Sequence, residues 1–340
     1  MALTFDQITA ITNKYYMPKF PQLVFDQNLV QKRLAAKGSK PQSGESIKQP
    51  VMHAMSKGGF FDPYDTFDIS AEDQVTAADF NWKYLEVPIT ISRDEILKNA
   101  GPEGIKKLMD AKMKLARMAC SNLLADAMFN VASPGTDSST ALNSFENMLE
   151  NTAGLLNSAG GSGLGTTPIY GGIAKDDYAW WTGNVVSAGG SGGGMYYQSF
   201  SNFFWTICDG NIQPDLMVMH NMAFGTFIGG QQSQERYVKQ TEMDAGFLTA
   251  TFNGKTMVAD LHVSNDTSTL TTNRVYFLNT DFIDFVTHKD ENNRLEPFAK
   301  PVDQAVSVAH IMWAGELTSS DPSRSGVVCN LDTDDATIWV

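Results

Sequence analysis

Basic residues are in short supply: Lys and Arg number 25 against 38 Asp and Glu, giving a formal net charge of −13. Binding along a phosphate backbone needs clustered Lys and Arg. The balance therefore argues against nucleic-acid binding as the main task, although a protein that only encloses DNA has no such need. Cysteine is scarce too. Cys120, Cys208 and Cys329 lie far apart, form no C-x-x-C pair and leave one unpaired in any disulfide scheme, which fits a reducing compartment such as a cytoplasm. No apolar run approaches the roughly 20 residues that span a bilayer, and Met1 to Phe20 carries no basic leader before an apolar core. We read the chain as neither membrane-bound nor exported by a signal peptide. No repeat of fixed period appears, which excludes a solenoid.

Catalytic signatures are equally thin. Gly189-Gly190-Ser191-Gly192-Gly193 matches the G-x-S-x-G elbow in letters, but an elbow works by rigidity and these glycines, continuing to Gly194, describe a flexible loop. A Ser191-dependent hydrolase is kept as the alternative from another class. Neither Gly160 to Gly165 nor Gly189 to Gly194 satisfies G-x-G-x-x-G, and neither is followed by Gly-Lys-Ser/Thr. His53, His220, His262, His288 and His310 never fall at the i, i+4 spacing of a helical metal pair, and His310 reads as a hydrogen-bonded strand histidine. Asp332, Asp334 and Asp335 lack the glycine and closing glutamate of a calcium loop and read as an acidic tail. Lys106, Lys107, Lys112, Lys114 and Arg117 read as a solvated or salt-bridged helix face, because Glu103 and Asp110 are interleaved. No catalytic residue, cofactor or metal is expected.

What is present is enough apolar material, 42% of 340 residues, for one large core or two modest ones. Residues 1–45 mix short apolar runs with Gly38-Ser39-Lys40-Pro41 and read as an arm that needs a neighbour. Two strand-like runs follow, Ile47 to Met55 and Trp82 to Ile91, the second alternating Leu85, Val87, Ile89 and Ile91. Joined by a polar, aromatic stretch, they predict a long projecting hairpin. Such a two-stranded ribbon is marginal alone in water, so it should pack on another subunit. Its contact candidates are Lys57, Phe60, Phe61, Tyr64 and Phe67.

Pro102 and Glu103 then open a helix running to Asn130, with Ile105, Leu108, Leu115, Ala119, Leu123 and Ala127 at helical spacing and Met109, Met113 and Met118 beside them. A Gly/Ser-rich tract spans Gly154 to Gly194. The second half predicts strands at Leu216–Met219, Arg274–Leu278, Gln304–Glu316 and Val327–Leu331, a helix starting at His220-Asn221, and a tight hairpin at Asn253-Gly254. The class is α+β.

The order arm, long hairpin, spine helix, mixed domain resembles the major capsid proteins of tailed bacteriophages with the Hong Kong 97-like fold. Local wording agrees: Phe80-Asn81-Trp82-Lys83 leading to Val87-Pro88-Ile89-Thr90-Ile91-Ser92-Arg93-Asp94-Glu95, then Pro214 to His220, Phe252-Asn253-Gly254-Lys255, Tyr276 to Asp281, and Ile169-Tyr170-Gly171-Gly172-Ile173 before Trp180-Trp181. The resemblance implies an N-terminal arm over 1–46, an extended β-hairpin loop over 47–95, a peripheral domain with the spine helix over 96–165, an axial domain over 166–290, and strands returning to the peripheral domain over 291–340. It implies hexamers and pentamers of an icosahedral phage head around double-stranded DNA, found in the virion and assembled in the host cytoplasm, with a portal protein as partner. Only about 45 residues precede the hairpin, too few for a cleaved scaffolding segment plus an arm, so a separate scaffolding protein is expected. Lys57 and Asn330 are the residue types of the family's Lys–Asn crosslink, but no pattern fixes a pair. An encapsulin-like compartment shell, which shares the fold, is the alternative.

Overall fold

The structure is a computed structural model, and it describes residues 29–38, 40–54, 56–60, 62, 73–98, 102–129, 140–150, 168–187, 197–230, 249–263, 274–329 and 331. Helix α1 (Leu29–Gly38) and strand β1 (Lys40–Gln42) lead into β2 (Ile47–Met52), β3 (Val75–Phe80) and β4 (Lys83–Ser92). The short α2 (Arg93–Lys98) precedes the 28-residue α3 (Pro102–Phe129), a rod of roughly 40 Å at 1.5 Å per residue. Pro102 stands at its first position, where a missing N–H costs nothing. Helix α4 (Phe145–Leu149), β5 (Ile169–Tyr170), β6 (Ile173–Ala174), β7 (Asn184–Ser187) and α5 (Tyr197–Ile207) follow. Next are β8 (Leu216–Met219), α6 (Asn221–Gly230), β9 (Thr249–Phe252) and β10 (Lys255–Ala259). The chain continues through β11 (Val275–Leu278), β12 (Ile283–His288), β13 (Arg294–Leu295), β14 (Val306–Ser319) and β15 (Gly326–Cys329).

Two sheets organise these elements. In the five-stranded sheet, β14 is central: β4 runs antiparallel along one edge from Val306 to Gly315, while β12 and β13 pair along the other and β1 adds to β12 in parallel. Val87, Ile89 and Ile91 of β4 point to the core under α3, and the alternate Tyr84, Glu86, Pro88 and Thr90 face solvent, hence the period of two. β4 is an edge strand. Arg93 N donates to Ala305 O while Ser92 N turns away to Glu95, so the even-numbered positions face outward and Pro88 removes one of their donors.

The six-stranded sheet has the order β7-β15-β11-β8-β10-β9. Of its four inner strands, β8, β11 and β15 are buried at every residue because both faces are covered. Met217, Met219, Val275, Phe277 and Val328 join Phe200, Phe203 and Phe204 of α5 and Phe224 and Phe227 of α6 in one core. Leu216, Val218, Tyr276, Leu278 and Val327 join the other core, which continues beneath α3. At the tip of β9–β10, Asn253 and Gly254 have φ of 47° and 77°, the signs a two-residue type I′ turn requires.

Four expectations need correction. β2 pairs with β3, not with the Trp82–Ile91 run, which became β4 of the five-stranded sheet. Val-Thr-Ala-Ala-Asp-Phe carries little apolar signal because one of its faces is small and solvated. The buried stripe of α3 is Met109, Met113, Ala116, Cys120 and Leu124, whereas Leu115 (62% exposed), Met118 and Leu123 face out. Apolar residues surround this helix, so periodicity alone did not choose the face. β15 joins the six-stranded sheet, whereas β13 and β14 return to the sheet under α3, and β12, at 283–288, belongs to that sheet as well. Finally, residues 29–42 are seated on their own subunit: Val30 and Leu34 are buried, Gln31 Nε2 donates to Ser121 O at 3.0 Å, and Arg33 meets Asp215 at 2.8 Å.

Candidate assembly surface

The β2–β3 ribbon has two faces with different fates. Ile47, Val51, Ala78 and Phe80 are buried against the body, while Lys48, Pro50, Met52, Val75, Ala77 and Asp79 are exposed on the other face. Met52 and Val75, directly opposite each other, are 86% and 57% exposed. Beyond them the chain runs out to Lys57, Gly58, Gly59 and Phe60, all exposed, Phe60 completely. Of the five contact candidates, Lys57 and Phe60 therefore stand on an exposed tip. Phe61, Tyr64 and Phe67 lie outside the described residues, as do Ser191, Asn330 and the acidic tail.

The root of the ribbon is clamped by the β5–β6 hairpin, the Ile169-Tyr170-Gly171-Gly172-Ile173 motif. Asp79 N donates to Gly171 O at 2.9 Å, and Phe80 packs edge-on to Tyr170 with centroids 5.0 Å apart. Gly171 (φ 59°) approaches so closely that a Cβ would lie 2.7 Å from Phe80 Cζ. Trp181 Nε1 holds Tyr170 O at 2.9 Å, and Trp180 stacks on His53 at 5.2 Å. Between the stem at Val51–Ala54, Trp180 and the turn Ser320–Arg324 lies a groove of about 380 Å³. Arg324 spans its floor, donating to Asp321 at 3.0 Å and Asp209 at 2.6 Å.

Behind this clamp sits a buried polar seam that composition did not reveal. Lys175, fully buried, donates to the carbonyls of Asn147, Met148 and Glu150 at 2.7, 2.9 and 2.8 Å, placing an ammonium at the carbonyl end of α4. Ser144 caps the other end of α4, accepting from Glu146 N and Asn147 N. Glu146 pairs with Arg274 and accepts from Tyr276 Oη at 3.1 Å; burial pushes the Tyr276 hydroxyl up to about 12. Glu316 Oε1 accepts from Asn143 N and Leu317 N, each at 2.9 Å. Charged groups in the interior persist only when paired or hydrogen-bonded, and each of these is. The seam fixes α4, and through it the clamp, against both sheets.

On the helix side, Ser92 and Glu95 form a capping box at α2. Ser92 N donates to Glu95 Oε2 at 3.0 Å and Glu95 N to Ser92 Oγ at 3.2 Å. Lys112 reaches back to Glu95 at 3.0 Å, so that this basic residue of α3 is salt-bridged. The Ser92 N–H first, then Lys112, holds the Glu95 carboxyl below its ordinary value. His310 Nδ1 lies 2.6 Å from Glu86 on the neighbouring strand, the hydrogen-bonded strand histidine expected of it. Among the described residues no group of three or more His, Cys, Asp or Glu is placed to hold a metal, and no helix is long and apolar enough to cross a membrane.

No family model and no curated protein sequence matches the chain. Solved structures do. The chain is similar to the holo-SrpI encapsulin complex from Synechococcus elongatus, at 11% identity over 98% of both chains with a TM-score of 0.54. It is similar to the capsid of Cyanophage A-1(L), at 13% identity over 94% of both chains with a TM-score of 0.59. A structure from Mycobacterium phage Ogopogo matches at 14% identity over 89% of this chain and 92% of its own, with a TM-score of 0.55. Likeness over nearly the whole of each chain defines the class: this is an α+β protein with the Hong Kong 97-like fold.

Proposed function

We propose that this chain is the major capsid protein of a tailed bacteriophage, a non-enzymatic subunit that assembles with itself into the hexamers and pentamers of an icosahedral head around double-stranded DNA. The observation that carries the reading is the ribbon. A fold whose solved neighbours include a phage capsid presents a clamped stem and an exposed tip at Lys57–Phe60, with apolar Met52 and Val75 uncovered along it. That arrangement is unfavourable in a lone subunit. It becomes favourable when each ribbon lies on the next copy, a head-to-tail contact that closes into rings. Lys57, Phe60, Phe61, Tyr64 and Phe67 are the contact residues of this reading. A separate scaffolding protein, a portal protein and a virion location belong to it. The acidic balance of the chain suits a wall that encloses DNA without gripping it.

The test is assembly. The purified protein, alone and with its scaffolding protein, should give closed shells in sedimentation and electron microscopy; discrete subunits under every condition would overturn the proposal. The 98% two-way coverage against an encapsulin supports a second reading, a compartment shell holding protein cargo. The contents of purified particles, DNA or a cargo protein, separate the two.

A further inference from the structure

Two short segments of the second half carry the chain between the sheets, and they lie side by side. Residues 279–282 lead from β11 in the six-stranded sheet to β12 in the five-stranded sheet, and residues 320–325 lead back from β14 to β15. Phe282 O accepts from Ser320 N at 3.0 Å and from Ser319 Oγ at 3.1 Å, and Asn279 N donates to Ser325 Oγ at 3.1 Å. Two adjacent crossings bonded to each other act as one hinge line, and rotation about that line remains open to them. The apolar core shared by the sheets is held by a non-directional force, so it keeps them together without fixing the angle. Fixing it takes a third attachment with a foot on each sheet, and α1 with β1 supplies one.

The foot on the five-stranded sheet is β1, paired with β12 from Lys40 opposite Val286 to Gln42 opposite His288. The foot on the six-stranded sheet is Arg33, 2.8 Å from Asp215, the residue before β8. Asp215 also accepts from Thr280 N and Thr280 Oγ1, each at 2.7 Å. One helical turn beyond Arg33, Lys37 donates to Thr280 O and to Ile283 O, the latter at 3.2 Å, and stands 3.6 Å from Asp284. The crossing at 279–282 is thus gripped at its N–H end by a carboxylate that Arg33 holds, and at its carbonyl end by Lys37. Gln31 adds the spine, donating to Ser121 O of α3 at 3.0 Å. We infer that α1 and β1 form a brace across the hinge line, which sets the angle between the two sheets and thereby the curvature and diameter of the shell. The diameter rests on the self-assembly proposed above, because a rotation inside each subunit changes how successive copies meet as they close. The brace itself is a property of the single subunit.

The full-length chain carrying Arg33→Ala and Lys37→Ala together tests the brace. Both side chains are 29% exposed, and the buried Val30 and Leu34 beneath them are untouched, so the variant should fold as the parent does by circular dichroism. Hydrogen exchange at the Ser320 amide is the first readout, since that N–H bonds Phe282 O in the hinge and touches neither substituted residue. It should exchange about tenfold faster in the variant. Shell diameter by electron microscopy is the second: the parent should give one size and the variant a spread of sizes. Arg33→Lys, which keeps the single contact to Asp215, should match the parent in both, as should Lys98→Ala, which removes an exposed ion pair with Asp94 elsewhere. Unchanged protection at Ser320, or variant shells of the single parental diameter, would overturn the inference. If the double variant does not fold, Lys37→Met decides by the same two readouts. If the parent forms no shells, the failure lies with self-assembly, and exchange at Ser320 decides the brace alone.

Discussion

Substituting Gly171 and Gly172 by alanine in separate proteins divides the clamp's energetics into two parts. Both glycines have positive φ, 59° and 73°, which an L-residue adopts at a cost of about 1–2 kcal/mol. Only Gly171 is also crowded. A Cβ there would stand 2.7 Å from Phe80 Cζ and 2.9 Å from Ala78 Cβ, whereas at Gly172 the nearest atom is Asp79 O at 3.9 Å. Forcing a methyl group into such a contact costs about 1–3 kcal/mol more. Gly172→Ala should therefore lose about 1–2 kcal/mol in urea unfolding and Gly171→Ala about 2–5 kcal/mol. Because the crowded atoms belong to the ribbon, Gly171→Ala should also speed hydrogen exchange at the Asp79 amide, whose acceptor is Gly171 O. Equal losses for the two variants, with unchanged protection at Asp79, would refute the close approach as the basis of the clamp.

Phe60→Asp alters a fully exposed side chain, so unfolding should change by no more than about 0.5 kcal/mol while shell assembly is abolished; normal assembly would remove the tip from the contact. Lys175→Met leaves three buried carbonyls without their donor, and a loss of about 3–5 kcal/mol in chemical denaturation is expected. For Glu95, the carboxyl is held below its ordinary value, so its stabilisation is fully present above that value and is lost as pH falls through the lowered one. The melting-temperature gap between the parent and Glu95→Gln should hold near about pH 6 and shrink toward about pH 3. A gap that widens with acid would contradict the capping box.

Local signals were legible where local physics decides. Asn253-Gly254 announced its turn because both residues tolerate positive φ, and Leu216–Met219 announced a strand because both its faces are buried. Pro102 marked the start of α3. The α+β class and the element order followed from these. What the sequence hid is tertiary. Val75–Phe80 reads as indifferent because half of it faces solvent, and its pairing with β2 was assigned to the more hydrophobic β4. The α3 stripe was misplaced because Leu115, Met118 and Leu123 are as apolar as the residues that are buried. Lys175, Glu146 and Arg274 look like surface residues by type; only the carbonyls and partners brought from distant segments make their burial tolerable. The Tyr170-Gly171-Gly172 motif was visible, but its role as a clamp depends on Phe80 arriving beside it.

Cryo-electron microscopy of particles assembled from the full-length protein tests the central claim most directly. The account predicts closed shells in which the Lys57–Phe60 tip of each subunit lies on the next copy and Met52 and Val75 are covered. Particles whose ribbons lie free of every neighbour, or a protein that stays as single subunits with its scaffolding partner present, would contradict it.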